Sequence, residues 1–284
     1  MFQKNVSLKN YTTFKIGGKA KYFFTAKTKE DLVKAIAAAK ELKLPFFILG
    51  GGGNILVSDQ GFKGIVIKIE NTKYKIQNAK MIAEAGMPLG ELTNILIKKG
   101  LSGLEWIVGI PGTVGGAVYG NAGAFGKSME DVVREVEVLD SKNLKIKKIK
   151  IKDCKFTYRS SIFKYKKNLI VLSAKLRLKK KKKKEIENKI KKYLEYKKKN
   201  HPRDYFSAGS IFKNPIGQFA GELIEKAGLK GKRIGKAKIS AEHANFIVNL
   251  GGASAKDVKK LINLAKKSVK KKFKINLEEE IQFL

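Results

Sequence analysis

The stretch Gly109–Gly126, GIPGTVGGAVYGNAGAFG, places seven glycines in eighteen residues. Its spacers are apolar (Ile110, Val114, Ala117, Val118, Phe125), whereas flexible linkers mix glycine with serine and charge. Glycine inside apolar sequence marks backbone that something approaches closely, or turns that need positive φ. A second cluster, Gly50–Gly53 followed by Asn54, closes the apolar run Pro45–Leu49. Together they suggest a long, flat, anionic ligand lying along bare backbone, as flavin and nicotinamide dinucleotides would; purely structural turns are the alternative.

The first cluster follows a strand, as in a Rossmann unit, but Ile55–Asp59 reads as extended chain, so the helix that such a phosphate site needs is missing. Consecutive glycines can instead turn several backbone N–H groups toward one anion. Around these clusters the pattern is mixed. Ala20–Ala26 reads as a strand, and Thr28 with Asp31 caps a helix whose stripe is Leu32, Val33, Ile36 and Leu42. Strands follow at Pro45–Leu49, Gly64–Ile69, Val132–Asp140 and Leu169–Leu178, with a helix at Leu89–Lys99 stopped by Gly100. Lys179–Lys184 marks a boundary, and Ile186, Ile190, Tyr193 and Leu194 stripe the basic helix beyond it. A helix at Phe219–Ala227, a strand at Ala244–Leu250, a long helix capped by Ser254 and Asp257, and a terminal strand Glu278–Leu284 complete an α+β fold.

A chain of 284 residues can bury a substantial core in two or three domains. No apolar run is long enough to span a membrane, the start MFQKNVSLKNY has no leader pattern, and Cys154 stands alone, which fits a reducing cytoplasm. Two histidines and one cysteine give no metal-ligand spacing. The net charge of +36 raises a nucleic-acid reading. It is nearly all lysine spread over the chain, not arginine interleaved with aromatics, so solvated surface is the simpler account of Lys179–Lys184 and Lys197–Lys199. Such charge still speeds the approach of anionic nucleotides.

Three segments concentrate polar groups: Tyr158-Arg159-Ser160-Ser161, Ser207–Pro215 (SAGSIFKNP) and Glu278-Glu279-Glu280. By themselves they read better as a surface arginine, a turn serine and an exposed acidic edge strand than as a site; strand alternation puts Glu280 on the face opposite Ile281 and Phe283. The ordered set NYTTFKIGG, LGGGGN, GIPGTVGGAVYGNAGAFG, YRSSIF, SAGSIFKNP, LIEKAGLKG, HANFIVN and LEEEIQF, from Asn10 to Phe283, resembles the UDP-N-acetylenolpyruvoylglucosamine reductase (MurB) family of cell-wall biosynthesis.

That resemblance implies a vanillyl-alcohol-oxidase-type FAD-binding region over 1–178, split near 70. A basic linker helix at 179–200 and a smaller substrate-binding domain at 201–284 would follow. The length is similar to the family's second, short-loop type. The resemblance implies a cytoplasmic monomer that reduces an enol ether to a lactyl ether in peptidoglycan precursor synthesis, with non-covalent FAD and NADPH as reductant. Nucleic-acid and membrane partners are not expected. Implied FAD contacts are Gly50, Gly51, Gly52, Gly53, Asn54, Pro111, Gly112, Thr113, Gly116, Asn121 and Gly123; implied substrate contacts are Tyr158, Lys213 and Asn214. In the implied mechanism Arg159 and Glu280 stabilise charge developing on the enolpyruvyl group, Glu280 as a protonated donor, and Ser210 gives the proton. The sequence departs from the pattern at Gly53 (often serine), Glu279 (commonly proline) and His201 (frequently glutamine). Another FAD-dependent oxidoreductase on the same scaffold is the alternative.

Overall fold

The computed structural model describes residues 1–284. The chain forms two compact units, one of Met1–Gln3, Phe23–Gly51 and Gly64–Tyr196, the other of Lys4–Tyr22, Gly52–Lys63 and Lys197–Leu284. This grouping differs from the linear division at 178 and 200, because backbone pairing recruits early residues into the C-terminal unit. Thr13 N–H donates to Gly52 O at 3.1 Å, Gly18 N–H to Ser58 O at 2.8 Å, and Gln282–Phe283 lies parallel to Ile55–Leu56.

In the first unit, Thr28 and Asp31 form the expected capping box on the helix Lys29–Glu41, each side chain accepting the other's backbone N–H at 3.0 Å. The buried stripe is Leu32, Ala35, Ile36 and Ala39. Leu42, expected in it, is the C-cap and is 53% exposed, since the helix ends before its side chain returns to the core. Phe46–Leu49 pairs in parallel with Phe62–Ile69, from Phe46↔Ile65 to Leu49↔Lys68. An antiparallel sheet orders Lys145–Lys150, Val133–Asp140, Leu169–Arg177, Lys80–Glu84 and Tyr74–Gln77. Its central strands bury Val136, Val138, Ala174, Leu176, Met81 and Ala83. The helix Leu89–Lys99 ends on Gly100 in the left-handed region, as the sequence predicts.

The lysine run Lys179–Lys184 is not wholly a solvated linker. Lys179 and Lys180 pair with Ser102 and Leu101, and a helix begins at Lys183. That helix buries Ile186 and Ile190, while Leu194 is exposed. Lys197 also departs from a fully solvated reading: burial pulls its pKa down to about 8.

In the second unit, an antiparallel sheet orders Phe206–Ser210, Phe246–Asn249, Ala237–Ile239 and Arg233–Ile234. The helix Ala255–Phe273 packs on this unit's core through Val258, Leu261, Ile262, Ala265 and Val269, and Ser254 and Asp257 cap it as expected. The C-terminal segment is less regular than the expected strand. Only Gln282–Phe283 has strand geometry, and Ile281 is buried while Phe283 is 45% exposed. No helix is long and apolar enough to cross a membrane.

Candidate active site

In the first unit the two glycine clusters meet. A Cβ on Gly51 would lie 2.6 Å from Gly112 Cα, and one on Gly50 would lie 2.7 Å from Thr113 Oγ1. Protein packing alone therefore fixes glycine at Gly51, because the colliding atom is backbone. Gly116 is different: its nearest neighbour would be Thr113 Oγ1 at 3.8 Å, an ordinary contact. Gly116 is exposed on the helix Val114–Gly120, which Thr113 caps by accepting the Gly116 N–H at 3.5 Å. With Pro111 exposed and Gly112 half-buried beside it, this is bare backbone left open to a ligand. That surface fits a flat dinucleotide.

The difference between these glycines can be measured. Alanine at Gly116 meets no clash and removes a helical glycine, so it should hold or raise apoprotein stability, by up to about 1 kcal/mol. FAD retention should nevertheless fall. Thermal unfolding with and without added FAD checks this; unchanged FAD affinity would remove Gly116 from the cofactor surface.

Downstream, Asn121 adopts a left-handed C-cap conformation and spends its amide on protein. Its Nδ2 donates to Thr157 O at 3.0 Å and its Oδ1 accepts Glu130 N–H at 3.1 Å. Thr157 and Ser160 exchange backbone hydrogen bonds across a tight turn, at 3.1 and 3.0 Å. Tyr158 and Arg159 form the turn, with Arg159 in the left-handed region at φ 55°, a conformation shared by nine other non-glycine residues of the chain. Arg159 Nη1 donates to Gly123 O at 2.7 Å and its guanidinium lies 5.5 Å from the centroid of the exposed Tyr158 ring. Ser161 Oγ anchors the turn by donating to Tyr119 O at 2.7 Å.

The second unit gathers Gly52, Asn54, Ser210, Lys213 and Glu280. Gly52 has φ 63°, and a Cβ there would collide with the Tyr11 carbonyl. Asn54 Nδ2 donates to Glu280 O at 2.9 Å, and Gln282 N–H donates to Asn54 O at 3.0 Å, so the glycine loop grips the C-terminal segment on both sides of Ile281. Ser210 is half-buried beside a bulge between Ser207 and Ser210, with Gly209 at φ 74°. Bulges re-aim side chains. Glu280 N–H donates to Ile211 O at 2.8 Å, which places the residue after Ser210 beside Glu280. Lys213 pairs with Glu278, and Asn214 Oδ1 caps the helix Ala220–Lys226 by accepting Ala220 N–H at 3.0 Å. Half-buried Gly53 completes this loop.

His201 packs on Phe246 at 5.0 Å between ring centroids, and burial, reinforced by His243 and Lys197, lowers its pKa to about 4. It is a neutral packing residue at neutral pH. Thr13 and Asn245 lie in motifs quoted above whose members received no role. Thr13 Oγ1 donates to Ser207 O at 2.7 Å, upstream of the bulge.

Residues 20–147 match the FAD binding domain family, and residues 201–284 match the family described as UDP-N-acetylenolpyruvoylglucosamine reductase, C-terminal domain. The matched domains make the chain an FAD-binding oxidoreductase. The chain is 44% identical over 281 residues to the UDP-N-acetylenolpyruvoylglucosamine reductase of Caldanaerobacter subterraneus subsp. tengcongensis, covering 99% of this chain and 92% of the relative. It is 46% identical over 286 residues to that of Caldicellulosiruptor saccharolyticus, covering 100% and 92%. The crystal structure of UDP-N-acetylenolpyruvylglucosamine reductase (MurB) from Thermus caldophilus superposes with a TM-score of 0.86 at 38% identity, over 100% of this chain and 99% of that one. The chain belongs to the UDP-N-acetylenolpyruvoylglucosamine reductase family.

Proposed function

We propose that this protein reduces UDP-N-acetylglucosamine enolpyruvate to UDP-N-acetylmuramate with NADPH, in peptidoglycan precursor synthesis. The observation that carries the reading is its likeness, along the whole chain, to reductases of that name. When bound, FAD supplies the redox chemistry, accepting hydride from NADPH and passing it to the enolpyruvyl double bond. The residues proposed to meet the cofactor are Gly50, Gly51, Pro111, Gly112, Thr113, Gly116, Asn121 and Gly123 in the first unit and Gly52, Gly53 and Asn54 in the second. The bare backbone at Gly112 and Gly116 supports this assignment. Asn54 and Asn121 hold the loops that carry these residues, since the amide nitrogen of Asn54 and both ends of the Asn121 amide are engaged by protein.

In this reading the sugar nucleotide meets Tyr158, Lys213 and Asn214. Charge develops on the enolpyruvyl carboxylate and adjacent carbon, where preorganised donors contribute most. Arg159 provides a planar, permanently charged fork matched to a carboxylate. Glu280 donates there as a carboxylic acid, and Ser210 delivers the proton to the α carbon. The proposed functional assignments along the chain are an FAD region at 1–178, a linker helix at 179–200 and a substrate region at 201–284, with Lys4–Tyr22 and Gly52–Lys63 packed in the C-terminal unit. We place the protein in the cytoplasm as a monomer without nucleic-acid or membrane partners.

Stopped-flow measurement of the two half-reactions tests the chemistry. Ser210→Ala should leave flavin reduction by NADPH near normal and slow reoxidation by the enolpyruvyl nucleotide by about 10²-fold, as general-acid losses do. An equal loss in both halves would move Ser210 out of the proton-transfer role. Failure of the unmodified protein to reoxidise with that nucleotide would overturn the function itself.

A further inference from the structure

We propose that Asn245 is a positioning residue that holds the Ser210 segment against the Glu280 segment. The inference rests on the reading of Ser210 and Glu280 given above.

The ladder between Phe206–Ser210 and Phe246–Asn249 pairs Phe206 with Asn249, Ser207 with Val248, and then, after the bulge, Ser210 with Phe246. Past Ser210 the chain still needs partners for buried peptide groups, because Ile211 and Phe212 are both fully enclosed. Asn245 supplies them. Its backbone carbonyl accepts Ile211 N–H at 2.8 Å. Its side chain, only 3% exposed, then bonds twice to one residue: Oδ1 accepts Phe212 N–H at 2.9 Å, and Nδ2 donates to Phe212 O at 2.9 Å.

A carboxamide carries the same donor and acceptor pair as a peptide. Asn245 thus extends the ladder beyond the bulge with a side chain. The other edge of the same segment belongs to the C-terminus: Glu280 N–H donates to Ile211 O at 2.8 Å and Lys213 N–H to Glu278 O at 2.9 Å. Ile211–Lys213 is therefore clamped between Asn245 and Glu278–Glu280. The clamp fixes the frame in which Ser210 precedes Ile211 and Glu280 lies across from it. Among side chains in their usual neutral-pH forms, asparagine alone presents an amide donor and acceptor at this reach, so the site favours asparagine over a merely polar residue.

Asn245→Asp is the nearest isostere. It keeps the acceptor for Phe212 N–H and sets a carboxylate against Phe212 O, with burial raising the new carboxyl's pKa. In the FAD-loaded full-length enzyme, flavin reduction by NADPH should stay within about twofold of wild type. Reoxidation by the enolpyruvyl nucleotide should slow by about 10- to 100-fold, the cost of a small misplacement. The deficit should shrink as pH falls and the introduced carboxyl regains a proton to donate. In a Ser210→Ala background the same substitution should cost less than about threefold, because the group it positions is gone. Independently of turnover, hydrogen exchange of the Ile211–Lys213 amides should accelerate while the helix Ala255–Phe273 stays protected.

Loss of flavin binding, equal losses in both half-reactions, or faster exchange spread through that helix would reduce Asn245 to a general structural residue and overturn the proposal. Full additivity with Ser210→Ala would do the same. If Ser210→Ala alone leaves reoxidation untouched, the proton-donor reading fails; the local exchange change then still marks the clamp as real.

Discussion

Arg159→Lys is expected to slow reoxidation by the enolpyruvyl nucleotide by about 10²- to 10³-fold, the scale of losing a donor aimed at developing charge. The protein has no shortage of cationic side chains at a net charge of +36, so the contribution expected of Arg159 is direction and not merely positive charge. One guanidinium nitrogen is committed to Gly123 O at 2.7 Å, which fixes the plane of a rigid fork whose charge and shape match a carboxylate. A lysine ammonium could replace the bond to Gly123 or reach the substrate, but has no planar fork with which to do both in fixed geometry. The turn bears the cost of placing a non-glycine residue at φ 55°, and lysine would inherit it without the benefit. Flavin reduction by NADPH should be nearly unchanged. Single-turnover rates for each half-reaction at fixed ionic strength check this, and a Lys variant close to wild type in the second half would remove Arg159 from the reacting centre.

The parts of this fold that announce themselves in sequence are those set by local chemistry. The capping boxes Thr28/Asp31 and Ser254/Asp257, and the left-handed stop at Gly100, need only a few neighbouring residues, and each forms as read. The stripe of the long helix was legible because its apolar residues repeat at helical spacing over many turns. What local reading could not supply is structure imposed from outside. Val114–Gly120 is a helix although its glycines each cost close to about 1 kcal/mol of helix propensity; buried Val114, Ala117 and Val118 hold it. Phe206–Ser210 looks like turn sequence, yet it is a strand whose ladder is continued past its bulge by Asn245, more than thirty positions away. Glu278–Leu284 reads as one strand, but Asn54 and Ile211 each claim part of it and break its alternation.

The candidate site divides the same way. The expected site residues were legible only through the ordered set of motifs, because Arg159, Ser210 and Glu280 taken singly read as surface arginine, turn serine and acidic edge. Their supports were not. Asn121 and Asn54 read as cofactor contacts, and only three dimensions show their amides closing the Thr157–Ser160 turn and the Glu280 backbone. Among the glycines, Gly51 answers to another strand of backbone and Gly116 to open space, a distinction that no spacing rule contains.

Glu280 carries the other large expected effect. Glu278 pairs with Lys213 and Glu279 with Lys266 at 2.7 Å, so surface charge pairing accounts for these two neighbours. Glu280 is set apart by its backbone: the N–H is held by Ile211 and the carbonyl by Asn54, which fixes where its side chain begins. Glu280→Ala is expected to slow reoxidation by about 10²- to 10³-fold. Glu280→Gln keeps a neutral donor of the same reach and should lose only about tenfold, whereas Glu280→Asp should resemble alanine more than glutamine, because one missing methylene withdraws the group. The ordering matters more than any single rate: a residue acting by negative charge would rank Asp above Gln. Combined with Arg159→Lys, Glu280→Ala should cost less than the product of the separate losses, since both are expected to stabilise one developing charge. Half-reaction rates for the singles and the double at fixed salt give the comparison. Strictly multiplicative losses would mean that the two residues serve different steps, and an Asp variant faster than Gln would return Glu280 to the role of its neighbours, an acid that balances lysine.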